Sequence, residues 1–159
     1  MSDQKPSIRS ILLLVGGVAT ATAVLDQATK WLILRQFSPG EGVTVLPGVF
    51  DLTLLFNKGA AFGIFSRIES DELRLGLLAI STIAALFVLF FVLLREYRED
   101  IWGQVIVGLV FGGAIGNVID RVRLGAVVDF LDFYIGSNHW PAFNVADSAI
   151  CVGVFFLLI

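Results

Sequence analysis

Long apolar stretches dominate the chain, and their lengths predict helices that cross a membrane. Residues 75–94 and 101–119 contain no formal charge, and each is close to the ~20 residues that a spanning helix needs. Two further stretches, 11–34 and 140–159, are as long, although the last one contains Asp147. We therefore predict a single integral membrane domain over 1–159 with four spans, at about 11–34, 73–94, 101–120 and 141–159.

The chain between the first two spans has a different period. From Phe50 to Phe56 every second residue is Phe or Leu, which is the alternation that separates the two faces of a strand. We predict an interfacial β segment over about 43–65, because an open sheet edge is unstable within hydrocarbon. Ser66 followed by Glu69 has the spacing of a capping box and predicts a short interfacial helix. The expected fold class is an all-α membrane protein, a four-transmembrane-helix bundle with a small extracytoplasmic β-sheet and a short interfacial helix.

A glycine repeat marks the third predicted span. Gly108, Gly112 and Gly116 are four residues apart, so they lie along one stripe of the helix and let a neighbouring helix approach closely. We interpret this stripe as ordinary packing that makes the third helix central to the bundle.

Composition agrees with a membrane protein and excludes several classes. The chain is 57% hydrophobic and 16% charged, with a mean hydropathy of +0.86, so too few polar residues remain to cover a soluble globule. A net charge of −3 without a Lys/Arg cluster argues against nucleic-acid binding. Because Cys151 and His139 are the only residues of their types, no zinc-binding set is present and no metal is expected.

Charge alone orients the chain only weakly. Lys5 and Arg9 favour a cytoplasmic N-terminus, but both predicted sides of the membrane carry arginines. A cleaved signal peptide ending near Ala23 is a rival interpretation. It is disfavoured because apolar sequence resumes at Trp31. The last apolar run has no polar flank, so we expect a short natural tail beyond Ile159.

Polar residues inside spanning helices each require a partner or a function, because a charge there costs roughly 2.5–3.5 kcal/mol. Asp26 and Lys30 are four residues apart and predict an ion pair, either structural or in support of a site. Two further groups share a helix face by spacing. Helix capping is the simpler role for the second group, but Asp147 is predicted too deep for it. The groups are Asn117, Asp120 and Arg121, and Asn144 and Asp147.

Two carboxylates from separate elements suggest chemistry. Asp129 is flanked by Val127-Val128 and Phe130-Leu131, and together with Asp147 it is predicted near the outer membrane face. Two facing carboxylates share a proton, because both cannot ionise cheaply. Such a pair can hydrolyse an amide by activating water, without a metal or a covalent intermediate.

Other interpretations are weaker on the residues. A histidine-oriented nucleophile is improbable because His139 is alone in a polar turn, and a Ser/Lys dyad using Lys30 ranks far lower than the two aspartates. A small proton-coupled transporter is the main alternative, although a proton relay needs ionisable groups at several depths. A non-enzymatic scaffold would leave the buried acids unexplained.

Five stretches, taken in order, resemble the signature of the lipoprotein signal peptidases, the signal peptidase II family of bacterial inner membranes. Any one of them is weakly specific, but five in this order are highly specific, and together they cover most of the chain. They are 26–30 (DQATK), 57–63 (NKGAAFG), 112–121 (GGAIGNVIDR), 125–130 (GAVVDF) and 143–147 (FNVAD).

The resemblance implies a membrane aspartyl endopeptidase whose catalytic dyad is Asp129 and Asp147. It implies cleavage of prolipoproteins just before a cysteine that carries a diacylglyceryl group, no cofactor, contact with membrane lipids, and inhibition by globomycin-type peptides. It also implies both termini in the cytoplasm and a site near the periplasmic face; we expect a monomer. The remaining motif residues implied to bind substrate or support the site are Asp26, Lys30, Asn57, Gly59, Asn117, Asp120, Arg121 and Asn144.

Overall fold

The computed structural model describes residues 6–59 and 70–159, which form four helices and four strands. The capping box at Ser66, the last part of the predicted β segment and Lys5 lie outside these residues. The elements are α1 (Ile8–Gln36), β1 (Gly42–Leu46), β2 (Phe50–Asn57), α2 (Asp71–Glu96), α3 (Ile101–Leu124), β3 (Val127–Ile135), β4 (Asn138–His139) and α4 (Val145–Leu157).

Three helices, α1, α2 and α3, are long and apolar enough to cross a membrane. Much of their apolar surface faces outward, as expected when lipid is the solvent. Each begins at a side chain that accepts a hydrogen bond from a free backbone N–H of the first turn. These N-caps are Ser7, Ser70 and Asp100.

The fourth helix differs from the prediction at its start. It begins at Val145 rather than near Pro141, because Phe143 forms an isolated β-bridge in which it exchanges two backbone hydrogen bonds with Leu131. The Asn144 side chain caps α4 by accepting from the Asp147 N–H at 2.9 Å. Asn144 is therefore a helix cap, contrary to the prediction, because α4 starts at Val145 and Asp147 lies in its first turn.

The four strands form one antiparallel sheet in the order β1-β2-β3-β4. A bulge interrupts β2, because Leu52 pairs with Leu131 but Leu55 pairs with Asp129. The extra residue reverses which positions of β2 face each side. The simple alternation therefore fails after the bulge: Leu54 is buried, whereas Phe56 is 41% exposed and Asn57 shares a face with Asp129.

Helix α3 is central, as the glycine repeat predicted. A side chain at Gly108, Gly112 or Gly116 would collide with α1. Two apolar clusters pack at opposite ends of α1, one around Ile11 and one beneath the sheet around Ile33. The buried polar residues of α1 lie between them. After α3, Gly125 adopts φ +69°, a left-handed conformation that ends the helix and turns the chain into β3.

Candidate active site

The buried side of α1 carries a charged centre. The Lys30 ammonium lies 2.8 Å from Asp26 Oδ2, 2.8 Å from Asp120 Oδ2 and 3.0 Å from Asn117 Oδ1. The predicted Asp26–Lys30 pair is therefore present, with a second carboxylate that spacing did not reveal. An ammonium has three N–H donors, and all three are used here. Lys30 is therefore unsuited to act as the base of a Ser/Lys dyad.

The two carboxylates of this centre also bind backbone. We call Asp26, Lys30 and Asp120 the Lys30 hub. Asp120 Oδ2 accepts from the Val128 N–H at 3.0 Å, and Asp26 Oδ1 accepts from the Ala146 N–H at 2.9 Å. These two backbone positions immediately precede Asp129 and Asp147 in the chain. The hub thus fixes the start of β3 and the start of α4 relative to α1 and α3.

Asparagine amides surround Asp129. Asn57 donates Nδ2 to Oδ2 at 3.0 Å, and Asn144 donates Nδ2 to Oδ1 at 2.8 Å. Asn57 Oδ1 accepts from the Gly59 N–H, and Asn144 Oδ1 accepts from the Asp147 N–H. Because a backbone N–H can only donate, each amide has one orientation, with its NH₂ group toward the carboxylate.

The second carboxylate is held in the same way from α3. Asn117 donates Nδ2 to Asp147 Oδ1 at 2.8 Å, while its Oδ1 accepts from Lys30 and, at 3.3 Å, from Asn144 Nδ2. Asn117 and Asn144 together therefore connect the surroundings of Asp147 to those of Asp129. The two aspartates come from a strand and a helix that the isolated sequence does not relate to each other.

The environment of Asp129 favours its protonated form. Burial raises the pKa of Asp129 to about 7, and the nearby Asp147 carboxylate adds to this rise. The amide donors of Asn57 and Asn144 and the charge of Lys30 oppose it. A carboxyl group with a pKa near neutrality can exchange a proton during a reaction at physiological pH.

Arg121 extends the network toward the loop after β2. Its Nη2 donates to the Gly59 carbonyl oxygen at 3.1 Å, which fixes the turn that orients Asn57. Asp120 and Arg121 are consecutive and lie ~100° apart around the helix. Asp120 contacts Lys30 within the hub, whereas Arg121 contacts the Gly59 carbonyl oxygen, so the predicted shared face has two sets of partners.

All ten residues selected from the sequence lie in one hydrogen-bonded network, from Asp26 through Lys30, Asn117 and Asn144 to Asp129, Asn57, Gly59 and Arg121. Sequence reasoning missed Gln27, which donates to Asp120 Oδ1 at 2.8 Å. Its position beside Asp26 in a spanning helix was the available signal.

A groove leads to this network from the side. Within the described residues, α2 packs against α3 but not against α4, which leaves a cavity of about 1460 Å³ between α2 and α4. Its walls are mostly apolar, and its polar residues include Asn57, Asn117, Arg121 and Asp147 at one end. We call this space the α2–α4 groove. Of the two aspartates, Asp147 lines this groove, whereas Asp129 lies behind Asn57 and Asn144.

Comparisons with known proteins decide the family. A family model described as Signal peptidase (SPase) II matches residues 18–159. The chain belongs to the signal peptidase II family. The lipoprotein signal peptidase of Syntrophotalea carbinolica is 52% identical over 151 residues, covering 94% of this chain and 89% of that protein. The lipoprotein signal peptidase of Geobacter metallireducens is 46% identical over 144 residues, covering 88% of this chain and 85% of that protein.

Solved structures agree with this membership. A bacterial membrane enzyme solved at 2.3 Å resolution superposes with a TM-score of 0.80 at 33% identity, covering 99% of this chain and 90% of that one. A second, at 1.9 Å resolution, has a TM-score of 0.79, also at 33% identity, and covers 99% and 96%. This signal peptidase II family member is therefore a bacterial membrane protein. The comparisons give no support to the alternative of a proton-coupled transporter.

Proposed function

We propose that this protein cleaves the signal peptide from bacterial prolipoproteins, with Asp129 and Asp147 activating the attacking water. The names of its relatives support the reaction, and one observation supports the residues. Asn117 and Asn144 connect Asp129 to Asp147, and Asp147 and Asn117 line the polar end of the α2–α4 groove.

The proposed reaction is a direct hydrolysis. One aspartate is ionised and takes a proton from water, while the resulting hydroxide bonds to the carbonyl carbon of the scissile amide. The other aspartate is protonated and donates to the carbonyl oxygen. When the carbon–nitrogen bond breaks, the first aspartate passes its proton to the leaving nitrogen and the second regains its own. The raised pKa of Asp129 supports a proton shared between the two groups.

The remaining motif residues take supporting roles in this proposal. Asn57 and Asn144 orient Asp129, and Asn117 orients Asp147. Arg121 holds the Gly59 carbonyl and also lines the α2–α4 groove, where it can bind polar groups of the substrate backbone. Asp26, Lys30 and Asp120 stay behind these residues, away from the groove lining.

We further propose that the whole chain is one membrane domain in which α4 is the fourth span. Residues from Val145 to Ile159 are almost entirely apolar, which supports insertion of α4 beside α3. Both termini would lie in the cytoplasm and the carboxylates near the periplasmic face. The β-sheet would then act as an extracytoplasmic cradle for an extended segment of substrate, since β2 and β3 carry Asn57 and Asp129.

The proposed substrate is a prolipoprotein whose cysteine carries a diacylglyceryl group, cut on the N-terminal side of that cysteine. The apolar α2–α4 groove supports lateral entry of such a lipid-anchored chain. The proposal includes contact with membrane lipids, inhibition by globomycin-type peptides, a monomeric enzyme and catalysis without a cofactor.

A paired substrate assay tests this function. Purified protein in lipid is given the same precursor with and without the diacylglyceryl group, and the products are identified by mass spectrometry. We expect cleavage just before the modified cysteine and little cleavage of the unmodified precursor. Equal cleavage of both would contradict the lipid requirement, and loss of cleavage on adding EDTA would indicate a metal instead of the dyad.

A further inference from the structure

We propose that the Lys30 hub is the positioning device of the dyad: through one lysine it fixes the backbone before each aspartate and the amide that orients Asp147. This inference rests on the proposed function of Asp129 and Asp147. It concerns residues that never reach the groove, because Asp26, Lys30 and Asp120 are each no more than 2% exposed.

The two carboxylates of the hub make equivalent contacts with the backbone. Asp120 accepts from the N–H of Val128 and Asp26 accepts from the N–H of Ala146, each at about 3 Å. In both cases the next residue is a proposed catalytic aspartate. Lys30 bridges the two accepting carboxylates at 2.8 Å each. A single ammonium group therefore links the backbone before Asp129 to the backbone before Asp147.

A third contact links the Lys30 ammonium to the dyad through the amide of Asn117. The ammonium donates to Asn117 Oδ1, so the Asn117 NH₂ group is directed to Asp147. Without Lys30, Asn117 Oδ1 keeps only the longer contact from Asn144 Nδ2 at 3.3 Å, so the amide is held less firmly and can rotate its oxygen toward Asp147. That rotation would place two acceptors against each other and weaken the hold on the carboxylate.

Charges from every neighbouring element bear on this device. Asp26 and Lys30 come from α1, Asp120 and Arg121 from α3, Asp129 from β3, and Asp147 from α4. Removing the positive charge of Lys30 disfavours ionisation of the dyad, whereas removing the negative charge of Asp120 favours it. The two substitutions should therefore move the pH dependence of cleavage in opposite directions.

The test compares Lys30→Met and Asp120→Asn with wild type, using the diacylglyceryl-modified precursor across pH. We expect kcat to fall about a hundredfold in Lys30→Met with KM changed less than threefold, and the acidic limb of the profile to move to higher pH. Asp120→Asn keeps an oxygen for the Val128 N–H. It should therefore retain more kcat than Asp120→Ala, and its acidic limb should move to lower pH.

A matched control separates positioning from folding. Thr22→Ala alters another buried polar residue of α1, whose hydroxyl donates only within its own helix to Val18. It should keep both kcat and the pH profile. If Lys30→Met does not fold, the comparison of Asp120→Asn with Asp120→Ala decides.

The test distinguishes failure of the proposed function from failure of the inference about the hub. If wild type does not cleave the precursor, the proposed function fails. If wild type cleaves but the hub variants keep its kcat, or lose activity with an unmoved pH profile and in proportion to their folded fraction, the hub is only structural and the inference is overturned.

Discussion

The two sides of α3 differ in how closely they are packed. Toward α1, glycines bring the helix backbones together, and the space between them holds a buried lysine between two aspartates. Toward α2 and α4, the same helix borders a cavity of about 1460 Å³ with mostly apolar walls. The Lys30 hub thus holds the backbone before both aspartates from the closed side, while the groove on the open side reaches Asp147.

The open side is bounded at the end opposite to Asp147. The Tyr97 hydroxyl, just after α2, donates to the Leu157 carbonyl oxygen at the end of α4 at 3.2 Å. Gly103 leaves the room in which the Tyr97 ring lies, and Gln104 donates to the Tyr97 and Arg98 carbonyls. The α2–α4 groove is thus joined by a hydrogen bond at the end opposite to Asp147.

The largest effect should come from filling the closed side. In Gly116→Ala the new Cβ would collide with the Asp26 carboxylate and displace the Lys30 hub. Breaking a buried ion pair costs roughly 3–5 kcal/mol, so we expect a large fall in thermal stability and loss of cleavage. The matched control is Gly76→Ala in α2, where nothing lies near the added carbon. It should be neutral or slightly stabilising; equal damage in both variants would contradict the comparison.

The next effect concerns pH and the stability of the closed site. Asp129 has a folded pKa of about 7, above the ~3.9 of an unfolded aspartate, so the folded state holds a proton that the unfolded state releases. Stability should therefore fall as pH rises from about 4 to 7. A pKa difference of about three between the folded and unfolded states corresponds to a contribution on the order of 4 kcal/mol to the free energy of unfolding.

Asp129→Asn removes that proton equilibrium. Relative to wild type, the variant should be more stable at pH 8 than at pH 4, as measured by thermal unfolding in the same detergent. A constant difference between the two proteins at both pH values would show that Asp129 titrates normally in the folded state.

A smaller effect should follow from narrowing the open side. Ala85 lines the α2–α4 groove, whereas Ala79 is exposed on α2 outside the groove lining. Ala85→Leu should raise KM for the lipidated precursor about tenfold, equivalent to about 1.4 kcal/mol, with a smaller change in kcat. Ala79→Leu should leave both constants unchanged. The role of the groove in binding would be refuted by equal KM values for the two variants.

The smallest effect is expected at the end of the groove opposite to Asp147. Tyr97→Phe removes the hydrogen bond to Leu157 and keeps the ring beside Gly103. A typical loss is about 1 kcal/mol, visible as a modest decrease in melting temperature. Cleavage should change little, because the bond lies far from Asp147. A strong loss of activity would mean that the Tyr97–Leu157 contact affects the dyad across the length of the groove.

Features that depend on local sequence patterns were predicted correctly, whereas features that depend on strand pairing were not. Apolar length was sufficient for the long helices, and i, i+4 spacing was sufficient for the Asp26–Lys30 pair. The bulge in β2 was not predictable from alternation, because it depends on how β2 pairs with β3. The late start of α4 was missed for the same reason, since Phe143 pairs with a distant strand.

The candidate site shows a similar division. The order of the motifs selected ten residues that lie in one network. It did not predict which of these residues contact each other. Asp120 reaches Lys30 and the Val128 N–H only because α1, α3 and β3 meet there. Contacts of this kind depend on the tertiary arrangement and leave no spacing signal in the chain.

Cleavage by aspartate variants tests the central claim most directly. Asp129→Asn, Asp147→Asn and the control Asp132→Asn are assayed on the diacylglyceryl-modified precursor. Asp132 lies on β3 but contacts His139 instead of the network. We predict that the first two variants fold and lose cleavage by at least a thousandfold, while the third cleaves like wild type. Full processing by Asp129→Asn or by Asp147→Asn would contradict the dyad.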